Sequence, residues 1–373
     1  MRTVLIALLI AACGGPAKPT APPPQLPEDK KPEPVAEAPK PAPPPKDPDP
    51  IDVPLPYGVA TYKLTTAGKG AKSAIKIVGT AGTKQQVAFN VDYGGTQTGS
   101  PQEGSASDVA PTLVINTDVE VGETTDKGSK FTLSFTGIDA RDRAGSRTPT
   151  AAFKEQLLDL KGVSLAAMVA PNGQITDAQL HVPRPDQQTL AGLEIVKASL
   201  FAMWPILPTE PVGVGAKWTV TTPSTVVGTV AVDVVTSYEV VAHKGTAWTL
   251  KSTTKINGKD QKIGENQFDK ISGSGSQDVT LDAAFIPHGV ARLTNDFTVS
   301  KAGTSFTFHL EQQLATSDVG EATTAPPLPA GVAPPAPAGT SQQKSNVPVN
   351  QPAPATNQVP AGGSTPTPSA PKK

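Results

Sequence analysis

Four histidines are the side chains in this sequence best suited to bind a metal ion or to act as a general base. They are His181, His243, His288 and His309. No two of them have the HxxxH or HExxH spacing that places two imidazoles on one helix face, and no cysteine accompanies them. We therefore predict no metal centre, and we interpret each histidine as a surface residue of a strand or turn.

Nucleophile and phosphate-binding motifs are also missing from the sequence. There is no GxSxG elbow, and we interpret the nearest match, Gly273 to Ser276, as a flexible, hairpin-like stretch. The segment GKGAKS, Gly68 to Ser73, departs from the GxxxxGKS phosphate loop at Ala71. For that segment we expect a turn between two strands.

The acidic residues form no recognisable catalytic pair. One group has lysines nearby and is interpreted as solvated surface: Asp139, Asp142, Asp159 and Asp177. A second group lacks the regular spacing of a calcium-binding loop: Asp118, Glu120, Glu123 and Asp126. We predict no catalytic residue, no metal and no cofactor, and hence a protein that is not an enzyme. An envelope hydrolase with two converging carboxylates is the last alternative.

The single cysteine, Cys13, follows a short apolar run. Arg2 supplies a positive charge, Val4 to Ile10 are apolar, and Ala11 and Ala12 are the small residues expected before a cleavage site. The stretch resembles a bacterial lipobox. That resemblance implies cleavage of residues 1–12, a diacylglycerol thioether on Cys13 and acylation, for example with palmitate, of the new amino terminus. The alternative is a chance match or a buried free cysteine.

The lipobox implies a cell-envelope protein that is anchored to a membrane by lipid. The apolar run is too short to span a bilayer as a helix. Gly14 stands where an aspartate resembles an inner-membrane retention signal in enteric bacteria, so we expect the outer membrane, on its periplasmic or surface face, if the organism has one. With Cys13 lipidated, the mature chain has no thiol for a disulfide.

Two proline-rich segments flank the remainder. Residues 16–56 contain 17 of the 41 prolines, and residues 321–373 contain another 13. Neither has enough apolar side chains to offset the entropy of ordering, so we predict a disordered linker over 13–56 and a disordered tail over 321–373. The alternative is that these segments bind proline-reading domains or touch peptidoglycan.

Residues 57–320 are predicted to form a β-rich globular part, either one large domain or two small ones. Net charge is -1 with both signs interspersed, so nucleic acid is excluded as a partner. Apolar residues alternate with period two along many segments, which indicates antiparallel strands. Examples are Val87 to Tyr93, Leu113 to Val121, Phe131 to Phe135, one or two strands over 224–242, and a closing pair joined through Lys301-Ala302-Gly303.

Two helices are predicted between the strands. The first is AAFKEQLLDLKG, which ends at Gly162, and the second runs over 185–203 between two strand-rich halves. The second helix places an apolar stripe on one face: Leu190, Leu193, Val196, Leu200 and Trp204. We interpret this stripe as core that packs on a sheet, with a ligand-contacting groove as the alternative.

The segment ILPTEPVGVGAKW contains a P-V-x-x-G-x-x-W element from Pro211 to Trp218. Together with the hairpin GVSLAAMVAPNGQI and the preceding helix, it resembles a family of uncharacterised bacterial exported proteins and lipoproteins. The resemblance covers about residues 57–318, and it implies no activity. The element also has a structural reason, because Pro211 stops a helix and Trp218 fills the core at the start of a strand.

These observations predict a mainly β (α+β) protein with a large curved antiparallel sheet or half-barrel and one long helix packed on it. We expect a non-enzymatic, lipid-anchored envelope protein whose sheet encloses a groove for lipid or another amphiphile, by analogy with half-open sheets in lipid-carrying lipoproteins. The alternative is a structural or protein-interaction module with an envelope protein as its partner, held away from the membrane by the proline-rich arm.

Overall fold

The computed structural model describes residues 49–55, 58–99, 106–200, 202–226 and 229–320. The predicted signal peptide, Cys13, most of the linker and the tail over 321–373 lie outside the described residues. All described residues belong to one compact unit.

Nine strands and two helices precede the P-V-x-x-G-x-x-W element. The strands are β1 (Ile51–Pro54), β2 (Thr61–Thr66), β3 (Lys69–Ser73), β4 (Lys84–Thr98), β5 (Ala106–Val109), β6 (Thr112–Thr125), β7 (Gly128–Arg141), β8 (Ser164–Val169) and β9 (Ile175–Val182). The helices are α1 (Thr150–Leu157), which continues as a 3-10 turn (Leu158–Leu160), and α2 (Gln187–Leu200).

Eight further strands follow α2 among the described residues. They are β10 (Val212–Val214), β11 (Lys217–Val226), β12 (Val230–Lys244), β13 (Ala247–Asn257), β14 (Gln261–Ile263), β15 (Asn266–Leu281), β16 (His288–Lys301) and β17 (Thr304–Asp318). The apolar pattern over 224–242 is therefore divided between two strands, β11 and β12.

Fifteen strands form one antiparallel sheet, which is not closed. Its order is β1-β9-β8-β7-β6-β4-β17-β16-β15-β13-β12-β11-β2, with β5 added to β4 and β14 added to β15. The two edge strands, β1 and β2, are consecutive in the chain, with residues 55–60 between them. At about 3.5 Å per residue this connection is short, so the two edges lie within about 25 Å of each other where it joins them. A curved antiparallel sheet is thus confirmed.

The period-two segments form strands because alternate side chains are buried. Val87, Phe89 and Val91 are buried on one face of β4, and Phe131, Leu133 and Phe135 are buried on one face of β7. We call the face that carries these residues the inner face. Its side chains, together with those of α2, form most of the apolar core.

Turn residues act as expected at two hairpins. Asn172 and Gly173 lie in the turn between β8 and β9, and Ala302 (φ 49°) and Gly303 (φ 82°) join β16 to β17. In the β16–β17 hairpin, positive φ at both of these residues matches the right-handed twist of the paired strands, and in the β8–β9 turn Gly173 has positive φ (85°). Asn257-Gly258 has the composition of a hairpin turn, but it precedes β14, and the chain then returns as β15 to pair with β13.

The interpretation of Gly273 to Ser276 as a flexible, hairpin-like stretch is wrong. These residues lie in the middle of β15 and pair with both β13 and β16. A Cβ added to Gly273 would lie 2.4 Å from the Thr294 carbonyl oxygen, and one added to Gly275 would lie 2.6 Å from the Arg292 carbonyl oxygen. Glycine is used here because the backbone of β16 approaches too closely for a Cβ. The predicted turn at GKGAKS is also partly wrong, since Lys69–Ser73 form β3, which pairs with β10.

Both predicted helices are present, with shorter bounds for the second. Gly162 (φ 89°) follows the 3-10 turn after α1, in the left-handed conformation that suits glycine at a helix end. Asp186 caps α2, because its Oδ1 accepts a hydrogen bond from the Thr189 backbone N–H at 2.6 Å. Gly192 lets α2 approach α1, since a Cβ there would lie 3.0 Å from Leu157 Cδ2.

Candidate functional site

A short segment after α2, residues 202–210, crosses the inner face of the sheet, and we call it the strap. The strap is held first by β15, where the Gln277 side-chain amide donates to the Ala202 carbonyl at 2.6 Å. The Trp218 indole on β11 donates to the Ile206 carbonyl at 2.7 Å, and it stacks on Tyr238 with ring centroids 5.2 Å apart. Trp218 is 1% exposed. The tryptophan of the P-V-x-x-G-x-x-W element therefore fixes the strap as well as filling the core.

The strap also connects the two ends of the open sheet. The Leu207 N–H donates to the Asn172 carbonyl in the β8–β9 turn, at 2.8 Å, near the β1 edge. The Tyr62 hydroxyl on β2, the other edge strand, lies 2.6 Å from the Thr209 hydroxyl. Gly173 permits the contact, because a Cβ there would lie 2.1 Å from the Pro205 carbonyl oxygen. The strap thus bridges the gap that strand pairing leaves open.

The structure places most of the predicted stripe in the core beneath α2 and the strap. Leu193, Val196 and Trp204 are 1 to 4% exposed, and Leu190 is partly buried against them. Leu200 belongs to α2, but its side chain lies outside the described set. Trp204 contacts Phe131 and Phe285 at ring-centroid distances of 5.3 and 6.5 Å. Burial of each aliphatic side chain contributes about 1.5–3 kcal/mol, so this stripe anchors α2 to the sheet.

A second apolar cluster lies on the inner face of the long strands, towards their other ends. It consists of strand residues and the β15 bulge: Val230, Val232, Ile256, Phe268, Ile271, Phe297, Val299, Phe308 and Leu310. Phe297 and Phe308 are stacked with centroids 5.2 Å apart. We call this set of nine residues the second cluster. We call the core under α2 and the strap the first cluster. No helix residue is among the described members of the second cluster.

Between the two clusters the inner face carries a half-buried band that is richer in polar groups. Register places its residues side by side in one row: Thr236, Thr254, Gly275, Leu293, Gln312 and Tyr93. Each is of intermediate burial, whereas Tyr238, Ser252 and Gln277 in the adjoining row under the strap are buried. Solvent therefore reaches the inner face at this band.

Two polar atoms beside the band are buried without a hydrogen-bond partner in the described part of the chain. They are Ser252 Oγ, on a residue 6% exposed, and Asn295 Oδ1. Both belong to inward positions, because Leu250 and Phe297 lie two residues away on the same faces and are in the apolar clusters. Buried polar atoms are normally paired. This makes the band the candidate ligand site.

The charged side chain at the band is the carboxylate of Asp108, and it affects the pKa of Tyr93. Burial and, to a smaller extent, the negative charge of Asp108 together raise the pKa of Tyr93 to about 12. The phenol is therefore protonated at neutral pH and can both donate and accept a hydrogen bond. Asp108 pairs with Gly95, in the row next to Tyr93. In the described rows between the two clusters, the inward side chains include neither lysine nor arginine.

The outer face differs, because it carries a polar depression of about 490 Å³ over β11, β12, β13 and β15. Its charges pair with each other: Lys217 Nζ lies 3.1 Å from Glu239 Oε2, and Lys251 Nζ lies 3.4 Å from Asp278 Oδ1. The lining of the depression also includes five residues with hydroxyl groups: Thr65, Thr219, Ser237, Thr253 and Ser276.

The four histidines lie apart on the structure. His181 contacts Asp52 at 2.9 Å, His288 lies 3.4 Å from Asp318, and His243 stacks on Trp248. His309 contacts Asp296 through Nδ1 at 2.7 Å and Glu311 through Nε2 at 3.1 Å. The two nitrogens thus face different carboxylates. Within the described ranges, no cluster of three or more histidine, cysteine or acidic residues has the geometry to hold a metal ion.

The acidic residues interpreted as surface include two that form ion pairs. Asp139 contacts Lys154 at 2.8 Å, and Asp159 contacts Arg184 at 3.2 Å. The hydrogen bond from Lys154 is the main reason that the pKa of Asp139 is lowered. Among the described residues, no helix is both long enough and apolar enough to cross a membrane.

Comparison with known proteins gives one family match. Residues 159–284 match the model of a family of unknown function, DUF6263. The matched range begins in the 3-10 turn after α1 and ends just after β15, so it includes the strap and Trp218. No curated protein matches the chain. The match supports an uncharacterised domain and attaches no activity to it.

The sequence pattern did not indicate the band and its flanking residues, including Tyr93, Asp108, Ser252 and Asn295. A signal is nevertheless present in β15, where three successive inward positions are Gly273, Gly275 and Gln277 instead of large apolar residues. A break of this kind within an alternating strand marks the place where two apolar clusters separate.

Proposed function

We propose that this chain is a lipid-anchored protein of the bacterial cell envelope that binds a lipid or another amphiphile on the inner face of its open sheet, without catalysing a reaction. The observation that carries the proposal is the half-buried band between two apolar clusters, with buried polar atoms at its border that lack partners. An acyl chain fits against the second cluster, while a polar head fits against the band.

The anchor part of the proposal rests on Cys13 and the sequence before it. Replacing Cys13 with serine removes the thiol that would carry the lipid, and we expect the protein to move from the membrane fraction to the soluble fraction of the envelope. Fractionation and immunoblotting measure this change. As a control, Gly14→Ala keeps the thiol and is expected to leave the protein with the membrane. Full retention of the serine variant would contradict the anchor.

The proposal that the band binds an amphiphile is tested by placing a large side chain at an inward-facing position of the band. Thr254 points inward from β13, and its hydroxyl lies 3.0 Å from that of Thr236. Thr253 is the next residue on the same strand and points to the outer face. We expect Thr254→Trp to reduce affinity for a fluorescent fatty-acyl probe at least about tenfold, whereas Thr253→Trp leaves it unchanged. The chain for this test begins at residue 13, carries Cys13→Ser and retains both proline-rich segments.

Thermal unfolding of both variants shows whether they fold. If Thr254→Trp is unfolded, Leu293→Thr provides a smaller change in the same row, and a threefold or greater loss of affinity is expected. Equal affinity of the wild type and of a folded inward variant would rule out the band as the site.

A second candidate function is a protein-interaction module that uses the outer face. The self-paired charges and hydroxyl rows of the outer depression favour this candidate, since such a surface suits a polar partner better than an acyl chain. Under that alternative, outward Thr253→Trp would abolish capture of an envelope protein, while Thr254→Trp would leave capture unchanged.

A further inference from the structure

We infer that the head group of the bound amphiphile is uncharged and carries hydroxyl groups, as in a monoacylglycerol, and that it lies at the band with Asn295 and Asp108 as hydrogen-bond acceptors. This inference rests on the proposed function and names the ligand class for the same site.

The donors and acceptors at the band favour a head group that can donate hydrogen bonds. Asn295 Oδ1 is a buried acceptor without a partner, and Asp108 adds a carboxylate in the same row of the sheet. An ionised carboxylate or phosphate offers only acceptors and would leave Asn295 Oδ1 unsatisfied. A hydroxyl group can donate to Asn295 Oδ1 and so satisfies that acceptor.

The charge of the inward side chains at the band disfavours an anionic head group. The described inward side chains between the two clusters include no lysine or arginine, and the charged group among them is Asp108. An anionic head would be desolvated beside a like charge with no cation to compensate. The remaining polar lining is uncharged: the hydroxyls of Thr236, Thr254 and Tyr93 and the amide of Gln312.

The position of the second cluster relative to the band sets the orientation of the ligand. The second cluster adjoins the band on one side, because Leu310 and Phe308 continue the inward row of β17 beyond Gln312. The members of the second cluster are at most 9% exposed, so the acyl chain lies against the partly buried side chains packed on it, among them Val234 and Phe306. The head is then beside Asn295, which pairs with Leu310. The covered first cluster lies on the opposite side of the band. The arrangement therefore orients the ligand with its head towards the strap.

The experiment compares three amphiphiles with similar eighteen-carbon chains and different heads: 1-oleoylglycerol, oleate and oleylamine. Each competes with the same fluorescent acyl probe for the chain from residue 13 with Cys13→Ser, below the concentration at which it aggregates. We expect 1-oleoylglycerol to bind at least about tenfold more tightly than oleate. Asp108→Asn should raise oleate affinity by about tenfold and leave that of 1-oleoylglycerol within about twofold.

Each other result overturns a defined part of the account. Oleate binding as tightly as 1-oleoylglycerol, or an Asp108→Asn variant that leaves oleate affinity unchanged, overturns the uncharged head. Tighter binding of oleylamine overturns it in favour of a cation. Failure of all three amphiphiles and the probe to bind the folded chain overturns the proposed function itself. Asp118→Asn, at an exposed position of β6, is the matched control and should change none of the affinities.

Discussion

The two apolar clusters of the inner face are covered in different ways. The first cluster is buried under α2 and the strap, which reaches both ends of the sheet through the Leu207–Asn172 and Tyr62–Thr209 contacts. The second cluster is assembled from strands and the β15 bulge, and the half-buried band lies beside it. The two regions of the inner face therefore have different roles. The open sheet is closed at the first cluster, and solvent reaches the inner face at the band.

The largest effect is expected at the first cluster. Trp218→Ala removes a 1% exposed indole, its stacking on Tyr238 and its hydrogen bond to the Ile206 carbonyl. We predict a loss of about 3–5 kcal/mol in the free energy of unfolding, measured by urea denaturation. Trp218→Phe keeps a ring but leaves that carbonyl without the indole donor, and it should cost about 1–3 kcal/mol. A phenylalanine variant as stable as wild type would show that the indole hydrogen bond does not hold the strap.

A smaller stability effect, with a larger effect on binding, is expected at the second cluster. Phe308→Leu keeps an apolar side chain but loses the stacking on Phe297. We predict a cost below about 1.5 kcal/mol in unfolding free energy and at least a fivefold loss of affinity for the acyl probe. Val196→Leu in the first cluster is the matched control and should leave affinity unchanged. If Val196→Leu lowered the affinity for the acyl probe and Phe308→Leu did not, the acyl chain would lie under α2 instead.

The smallest effect is expected on the outer face, at His309. Partial burial lowers its pKa, but the hydrogen bonds and charges of Asp296 on β16 and Glu311 on β17 outweigh burial, so the pKa is raised above its ordinary value of 6.5. The third strand beside it, β4, contributes the uncharged Thr96 at the paired position. A raised pKa stabilises the fold below about pH 6.5, and this contribution is lost as pH rises through the folded-state value.

His309→Gln should therefore reduce stability more at about pH 5.5 than at about pH 8.5. Urea unfolding of both proteins at the two pH values measures the difference, and amphiphile affinity should not change. A stability difference that grows with pH would contradict the sign of this linkage.

Strands and hairpins were predictable from the sequence because burial on one face leaves a period-two pattern, as in β4 and β7. The order of strands was not, since the pairing of β4 with β17 joins segments far apart in the chain. Gly273 and Gly275 were misinterpreted because a Gly/Ser run has the composition of a flexible segment. Their actual cause, the close approach of the β16 backbone at Thr294 and Arg292, exists only after the strands pair.

The candidate site was less predictable than the fold. The apolar stripe of α2 was visible as a helical pattern, yet Leu193, Val196 and Trp204 are packed in the first cluster. The band depends on which strand positions become neighbours, so residues as distant as Tyr93, Thr254 and Gln312 cannot be grouped from spacing alone. Only the interrupted alternation of β15 pointed to it.

Native mass spectrometry with solvent extraction tests the central claim most directly. The chain from residue 13 with Cys13→Ser is mixed with 1-oleoylglycerol, freed of unbound ligand and compared with the Thr254→Trp and Thr253→Trp variants. The account predicts one extractable amphiphile per chain for the wild type and for Thr253→Trp, and none for Thr254→Trp. An empty wild-type chain, or equal occupancy of all three folded proteins, would contradict it.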